Sequence, residues 1–449
     1  MSTRLTWLVG LIVLISMGLL VACGSHYSSS SDGLVIVPSQ GSQVLQAFSF
    51  NLSNGHATQI NTAAAVPGKP TAIILDPAGA FAYVANSVTC SSTSLSGAVQ
   101  GVVAAYKVNS DGTLASTGTP LNLTGNPAYP GTFPTCGLND STNPNPGNAP
   151  VGFAMDSAGK FLFVSTALEA VTFTDNSTNP PTTTTATLPG NVRVFSIGSG
   201  ASLTEVTGSP FSIPSILGGT APSPLSLAVT ATIFPPKNTA LAQSAPCAGG
   251  AAPTTEFLYV ADSTNDRVWS FPVDMSSGVL GPLPTDFVTG HIPSGVAVDP
   301  CNRFVYVSNH DSNNVSGYTI CSTPSLPNCP VADGSLISTG AATSAGNGPT
   351  AVVCDPLGNF VYVVDNLQNA ISGYKISQAN GTLSALSPAT VATGATPVSI
   401  AIRGDDSWLF VTNRDSASLS QYSITPATGA LAALPAITTD NFPWGVTVK

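Results

Sequence analysis

Pro349 to Asn366 read PTAVVCDPLGNFVYVVDN, and this stretch decides the fold. Apolar residues alternate along both halves and share one face of each half: Val352 and Cys354, then Phe360, Tyr362 and Val364. A period of two predicts two antiparallel strands. The Asp-Pro-Leu-Gly between them is typical of a tight turn, because proline presets the first turn angle and glycine tolerates the last one.

The same phrase recurs along the chain. Its first strand reads Pro-x-x-apolar-x-apolar and begins at seven prolines: Pro70, Pro150, Pro224, Pro293, Pro349, Pro397 and Pro443. Its second strand also occurs seven times: LVIVPS at 34, FAYVANS at 81, FLFVST at 161, FLYVADS at 257, FVYVSNH at 304, FVYVVDN at 360 and LFVTNRD at 409. A third strand and a Gly-x-Leu hairpin into a fourth strand follow most copies. The chain is therefore predicted to be all-β, a seven-bladed β-propeller of four-stranded antiparallel blades.

The two ends of the chain are complementary. The N-terminal copy begins at its second strand, and the C-terminus is a lone first strand, Pro443 to Lys449. We expect this last strand to complete the N-terminal blade and close the ring, which leaves no open sheet edge. A linear array of seven sheets is the alternative, and the complementary ends argue against it.

The composition excludes several classes of protein. Charged residues make up 8% of the chain, the formal net charge is −10, and the 12 basic residues are scattered singly. Without a basic stripe, nucleic acid is not an expected partner. The chain has no Gly-x-Ser-x-Gly, His-Glu-x-x-His or phosphate-cradling glycine loop, so it carries none of these catalytic motifs. It has no Cys-x-x-Cys and its histidines are few and scattered, so no metal is predicted, and no cofactor is expected.

The N-terminus has the pattern of an export signal. Arg4 precedes an apolar run from Trp7 to Ala22, and residues 20–23 read LVAC. This segment resembles the bacterial lipoprotein signal, which implies cleavage before Cys23 and lipidation of that cysteine. An ordinary signal peptide is the alternative. We expect a signal peptide over residues 1–22, a Ser-rich tether over 23–32 and the propeller over 33–449, in a membrane-anchored lipoprotein of the bacterial cell envelope, periplasmic or on the outer membrane.

The repeats also carry a family resemblance. FAYVANS, FVYVSNH and LFVTNRD resemble YVTN-type propeller repeats, and the chain from about Gly33 resembles the seven-bladed lactonase-like propellers that include 6-phosphogluconolactonase. Active members of that family carry a Gly-Pro-Arg-His-like segment before a first strand and a Glu after a second strand. This chain has Gly290–Pro293 and Gly348–Ala351 before its strands and Asn or Asp after them, so no catalytic residue is carried over.

Four insertions interrupt the earlier blades: roughly Val88 to Gly101, Asn122 to Asn148, Leu168 to Gly190 and Ala231 to Thr255. They are rich in Thr, Ser, Pro, Asn and Gly, and such segments bury too little apolar area to fold alone. We expect them to be loops.

Seven cysteines remain after Cys23. Cys354 lies in an apolar strand column and is expected to be a buried free thiol. Cys321 and Cys329 flank a short excursion and are expected to pair, Cys90 and Cys136 lie in two insertions of one blade, and Cys247 with Cys301 is the remainder. An oxidising location agrees with the export signal.

Propeller sites usually lie on the axial face built by the loops before first strands and after second strands. The residues after the second strands include polar side chains in most blades: Asn86, Asp262, Asn309, His310, Asp311, Asp365, Asn366, Asn413, Arg414 and Asp415. Most of these are expected to be structural, because Asn and Asp commonly bond the backbone of a turn after a strand. A calcium ion held by a ring of their oxygens is a minor alternative.

One group of these residues resembles an acid/base site. His291 precedes the first strand of blade 5, and His310 and Asp311 follow its second strand. With Arg414 as a cation that could stabilise an oxyanion, they are the candidate catalytic residues.

Two functions follow. The first is an exported, lipid-anchored binding or interaction module for a glycan, a peptide or an envelope protein. The alternative is a lactonase-like hydrolase of a sugar or other lactone that uses His291 or His310 as base. Because Arg and Lys are sparse, a phosphorylated sugar is not the expected substrate.

Overall fold

The computed structural model describes residues 32–89, 95–96, 99–123, 149–175, 182–216, 220–230, 255–281, 284–321, 329 and 333–449. Within these ranges the helical structure is a 3₁₀ turn over Ser199–Ala201, and no helix there is long and apolar enough to cross a membrane. The predicted signal peptide and the tether to Ser31 lie outside the described residues.

The strands of the N-terminal half are β1 (Asp32–Ser39), β2 (Val44–Asn51), β3 (Ala57–Ala65), β4 (Lys69–Leu75), β5 (Phe81–Thr89), β6 (Leu95–Ser96), β7 (Val99–Val108), β8 (Leu114–Ser116), β9 (Leu121–Asn122), β10 (Pro150–Met155), β11 (Phe161–Thr166), β12 (Glu169–Asp175), β13 (Thr182–Leu188), β14 (Asn191–Ile197), β15 (Leu203–Glu205), β16 (Phe211–Ser212) and β17 (Pro224–Val229). Those of the C-terminal half are β18 (Glu256–Asp262), β19 (Arg267–Val273), β20 (Thr285–Val288), β21 (Pro293–Val298), β22 (Phe304–Asn309), β23 (Asn314–Ile320), β24 (Leu336–Ser338), β25 (Thr343–Ser344), β26 (Pro349–Cys354), β27 (Phe360–Asp365), β28 (Ala370–Ile376), β29 (Leu383–Ala392), β30 (Pro397–Ile402), β31 (Trp408–Asn413), β32 (Ser418–Ile424), β33 (Leu431–Ala433), β34 (Ile437–Thr438) and β35 (Thr447–Val448).

These strands form seven antiparallel blades, each with four strands on its main path. From the inner strand outward, the blades are β35-β1-β2-β3 (blade 1), β4-β5-β7-β8 (blade 2), β10-β11-β14-β15 (blade 3), β17-β18-β19-β20 (blade 4), β21-β22-β23-β24 (blade 5), β26-β27-β28-β29 (blade 6) and β30-β31-β32-β33 (blade 7). The predicted seven-bladed β-propeller is confirmed.

The Pro349–Asn366 stretch shows why the repeat folds as it does. β26 and β27 pair from Pro349↔Asp365 to Cys354↔Val361. In the turn between them, Asp355 Oδ1 accepts hydrogen bonds from the backbone N–H groups of Asn359 and Phe360, both at 2.6 Å. The aspartate thus closes the turn and starts the second strand.

In blades 5 and 6 the second strand is the most buried element, and it holds neighbouring blades together. Every residue of β22 and of β27 is buried. The tyrosine in each of these strands reaches the next blade: Tyr306 Oη donates to the carbonyl of Gly381 at 2.9 Å, and Tyr362 Oη donates to that of Gly429 at 2.7 Å. The repeated tyrosine therefore serves packing between blades.

The ring closes as the sequence predicts. β35 pairs with β1 through Val35↔Val448 and Ile36↔Thr447. Further along, the Trp444 N–H donates to the Pro38 carbonyl at 2.9 Å. The C-terminal segment thus supplies the inner strand of blade 1, which otherwise consists of the N-terminal strands.

The prediction that the insertions are loops is wrong for two of them. β6, from the first insertion, and the β12–β13 hairpin, from the third, form a separate three-stranded sheet in the order β13-β12-β6. The hairpin pairs from Glu169↔Leu188 to Asp175↔Thr182. Its many threonines favour strands, and pairing with a strand from the neighbouring blade satisfies backbone groups that a lone segment would leave to water. The other two insertions lie almost wholly outside the described residues.

Candidate functional site

The loops before first strands and after second strands lie at one end of the propeller, here called the upper face. In blade 5 the start of β21 pairs with the end of β22, as Pro293↔Asn309. The loops that carry His291 and His310 are therefore neighbours on this face. The backbone N–H of Asp311 donates to the His291 carbonyl at 3.2 Å, which joins the two loops directly.

His291 is bound to a carboxylate of the preceding blade. Its Nδ1 lies 2.9 Å from Oδ2 and 3.0 Å from Oδ1 of Asp266, and 63% of the His291 side chain is exposed. The hydrogen bond to Asp266 and the charge of that carboxylate raise the pKa of His291, and the charge of Asp311 adds to this. The second ring nitrogen, Nε2, is the one left for a ligand.

His310 binds a different carboxylate, and its side chain points in a different direction. Its Nδ1 lies 2.6 Å from Oδ1 of Asp311, and 30% of its side chain is exposed. Gly348 of blade 6 lies close to its other ring nitrogen: a Cβ atom added to this glycine would be 3.2 Å from His310 Nε2. The imidazole is therefore directed toward blade 6. His291 turns toward blade 4, so the two imidazoles share a loop pair and face opposite neighbours.

Arg414 does not join this group. It lies on blade 7, where its Nε donates to Oδ1 of Asp415 at 2.8 Å and its guanidinium lies 5.9 Å from the ring centre of Trp444. No hydrogen bond or ion pair in the described residues links it to either histidine. The structure thus joins the loops of His291, His310 and Asp311 directly, whereas the contacts of Arg414 are with Asp415 and Trp444.

The Asn and Asp residues that end the second strands are structural. Asn309, Asp365 and Asn413 are fully buried. Each binds a serine of its own third strand, in the pairs Asn309–Ser316 (2.9 Å), Asp365–Ser372 (2.6 Å) and Asn413–Ser420 (2.9 Å). Each residue thus braces its own blade, and Asn413 Nδ2 also donates to the Ser418 carbonyl at 3.2 Å. Oδ1 of each of the three side chains is buried and has no hydrogen-bond partner among the described residues.

Asp266 is the residue that sequence reasoning missed. It directly precedes the third strand of blade 4, and its backbone has a positive φ of 53°. Asn313 and Asn369 hold the equivalent positions in blades 5 and 6, with φ of 52° and 56°. The signal was present in the repeat, because aligning the residue before the third strand in blades 4, 5 and 6 sets one aspartate beside two asparagines.

Among the described residues, no three His, Cys, Asp or Glu side chains lie close enough together to hold a metal ion. Two cavities lie away from the histidines. One of about 210 Å³ lies between the turns Leu75–Gly79 and 403–405, and one of about 650 Å³ lies between the outer strands of blades 2 and 3. Neither is lined by a candidate catalytic residue.

Four of the eight cysteines lie in the described part of the chain. Cys321 and Cys329 form a disulfide, as the sequence predicts, and Cys301 is also disulfide-bonded. Cys354 is a free thiol that is only partly buried, although it packs against the core between blades 5 and 6. Cys23, Cys90, Cys136 and Cys247 lie outside the described residues, so lipidation and the remaining pairings stay predictions.

Comparison with known proteins agrees with this fold. The model of the family described as lactonase, 7-bladed beta-propeller, matches residues 225–327 and 328–445. Over these two segments the chain is similar to lactonase-type propellers, and its fold is a seven-bladed β-propeller. No curated protein matches its sequence.

Solved structures with the same fold cover nearly the whole chain. A candidate 6-phosphogluconolactonase from Bacteroides fragilis is 17% identical, with a TM-score of 0.64 over 94% of this chain and 99% of that one. The periplasmic gluconolactonase PpgL from Pseudomonas aeruginosa is 16% identical, with a TM-score of 0.64 over 93% and 99%. At identities of 16–17%, the similarity to these structures shows a shared fold and nothing further.

Proposed function

We propose that this protein hydrolyses a sugar lactone or another lactone on the upper face of blade 5. The observation that carries the proposal is the lactonase family match over residues 225–445, which includes an exposed imidazole held by a carboxylate, His291 with Asp266. A histidine with one nitrogen bound to a carboxylate and the other free is suited to take a proton from water.

The reaction needs no other reactant. Water adds to the lactone carbonyl carbon as a histidine Nε2 takes one of its protons. The ring C–O bond then breaks, and the released ring oxygen takes up that proton, which leaves a hydroxy acid. His291 and His310 are both candidates for the base, and they can be separated by substitution.

The substrate is proposed to be uncharged. A phosphate dianion binds best to a free guanidinium or ammonium group. An arginine of blade 4 and one of blade 7 are already paired with carboxylates: Arg267 with Asp286 at 2.9 Å and Arg414 with Asp415 at 2.8 Å. Asp266 and Asp311 beside the histidines add negative charge that would repel a phosphorylated sugar.

The test is lactone hydrolysis by the purified protein, with a panel of uncharged sugar lactones and 6-phosphogluconolactone. His291→Ala and His310→Ala are measured beside the parent protein. Turnover of an uncharged lactone that one substitution abolishes supports the proposal and identifies the base. No turnover of any lactone would refute it and favour the other function, a binding module for a glycan, a peptide or an envelope protein.

We also propose that the protein is exported and anchored by a lipid on Cys23. The support is the sequence alone: an apolar run after one positive charge, ending in LVAC at 20–23. The anchor would keep the propeller at the cell envelope, where it would meet lactones outside the cytoplasm.

A further inference from the structure

One repeated contact joins blades 4 and 5, blades 5 and 6, and blades 6 and 7 on the upper face, and it is here called the blade staple. The residue before the first-strand proline has a positive φ in blades 5, 6 and 7: 54° at Ile292, 64° at Gly348 and 55° at Thr396. In each case its backbone N–H donates to a side-chain oxygen of the preceding blade. The staple gives this backbone N–H a partner and holds the positive-φ residue of the loop in place.

The acceptors of the three staples differ in one respect. Asn313 Oδ1 accepts from Gly348 at 2.8 Å, and Asn369 Oδ1 accepts from Thr396 at 2.8 Å. In the blade 5 staple, the acceptor of the Ile292 N–H is Oδ1 of Asp266, at 2.9 Å. Because an amide oxygen serves twice in this chain, the staple itself does not need a negative charge.

A second difference falls on the same staple. The residue that precedes Ile292 is His291, whereas Asn347 and Ala395 hold that position before Gly348 and Thr396. Blade 5 thus departs from the repeat at two positions at once, and the two substituted residues contact each other through the 2.9 Å His291–Asp266 pair. Because the two residues that differ from the other staples also contact each other, we infer that this pair has a role that the other staples do not have.

We propose that Asp266 is the positioning residue for His291, which makes His291 rather than His310 the base; this inference rests on the proposed lactone hydrolysis. The carboxylate accepts the Nδ1–H of the imidazole and so fixes the tautomer in which Nε2 carries a lone pair. The staple to Ile292 holds the carboxylate itself in place. His310 lacks this arrangement, since its partner Asp311 is its chain neighbour and its Nε2 faces Gly348.

The test is Asp266→Asn in the full protein. An asparagine keeps the oxygen that accepts the Ile292 N–H, as Asn313 and Asn369 do in their staples, so the melting temperature should change by less than about 3 °C. Its amide now donates to His291 Nδ1, which favours the tautomer with a proton on Nε2 and removes the base. We expect kcat/KM to fall by about 100-fold or more, and the acid limb of its pH profile to move to lower pH.

A second measurement does not depend on activity. The chain has 4 histidines, so ¹⁵N NMR of the imidazoles can follow His291 through its titration. We expect Asp266→Asn to lower the pKa of His291 and to move the ring proton from Nδ1 to Nε2. The matched control is Asn369→Asp, which places the acid on a staple without a histidine and should change neither the His291 signals nor the activity.

The outcomes separate the two proposals. An unchanged tautomer and titration of His291 in Asp266→Asn would overturn the positioning role, whatever the activity. If no lactone is hydrolysed but the His291 signals change as expected, the proposed function fails and Asp266 still positions His291. If activity is lost through unfolding, the melting temperature shows it, and the NMR signals then decide at a temperature below the transition.

Discussion

Asp406 should destabilise this propeller at neutral pH, and replacing it with asparagine should reveal by how much. Its side chain is fully buried at the turn between β30 and β31, and neither of its carboxylate oxygens has a hydrogen-bond partner in the part of the chain that the structure describes. Desolvation, with a smaller contribution from the charge of Asp355, raises the pKa of Asp406 from 3.8 to about 8. This rise corresponds to about 6 kcal/mol between the neutral and ionised forms of the folded protein.

The direction of the pH dependence follows from these values. The folded pKa lies above the unfolded one, so the ionised carboxylate is favoured by unfolding. The stability associated with the neutral carboxyl is complete below about pH 4 and is lost progressively as the pH rises to about 8. Over this range the wild-type protein should lose about 1.4 kcal/mol per pH unit relative to a variant that cannot ionise.

Asp406→Asn removes the charge with little change in shape, and asparagine tolerates the positive φ of 58° at this position. A buried amide without a partner costs about 1–3 kcal/mol at every pH. The variant should therefore be less stable than wild type by about 1–3 kcal/mol at pH 4 and more stable by about 2–4 kcal/mol at pH 8.

The assay is urea unfolding of both proteins at pH 4, 6 and 8. The matched control is Asp299→Asn, because Asp299 is also fully buried but pairs with Arg303 through Oδ2 at 2.7 Å. That substitution breaks an ion pair and should destabilise the protein at pH 8. If the difference between Asp406→Asn and wild type is independent of pH, the carboxyl is not held in an unfavourable site and the reasoning is refuted.

Three further predictions concern the fold and its location. Cutting the chain after Asp440 removes β35 and uncovers β1, so the melting temperature should fall by about 10 °C or more; an unchanged transition would contradict the closure of the ring. Tyr306→Phe leaves the Gly381 carbonyl without its donor and should cost about 1–2 kcal/mol in urea unfolding, whereas an exposed residue such as Leu367 should tolerate alanine. Cys23→Ser should move the protein from the membrane fraction to the soluble fraction of expressing bacteria and abolish labelling with palmitate, and labelling that persists would exclude lipidation at this cysteine.

Much of the fold could be read from local sequence. The alternation in Pro349–Asn366, the Asp-Pro-x-Gly turn and their recurrence predict strands, turns and blade number, because each depends on residues a few positions apart. The strands within the insertions could not be predicted in this way. The sheet formed by β6, β12 and β13 joins segments of two different blades, and no local pattern records which segment another will meet.

The sequence by itself thus determined the repeat, the number of blades and the closure of the ring, since these follow from periodicity and from ends that complement each other. Only the tertiary structure decided which polar residues are available for chemistry. Asn309, Asp365 and Asn413 look like site residues in a sequence but are buried against serines, while Asp266 meets His291 because adjacent blades bring their loops together. Contacts between blades join residues 25 positions apart, and their side-chain directions depend on the packing of the whole ring.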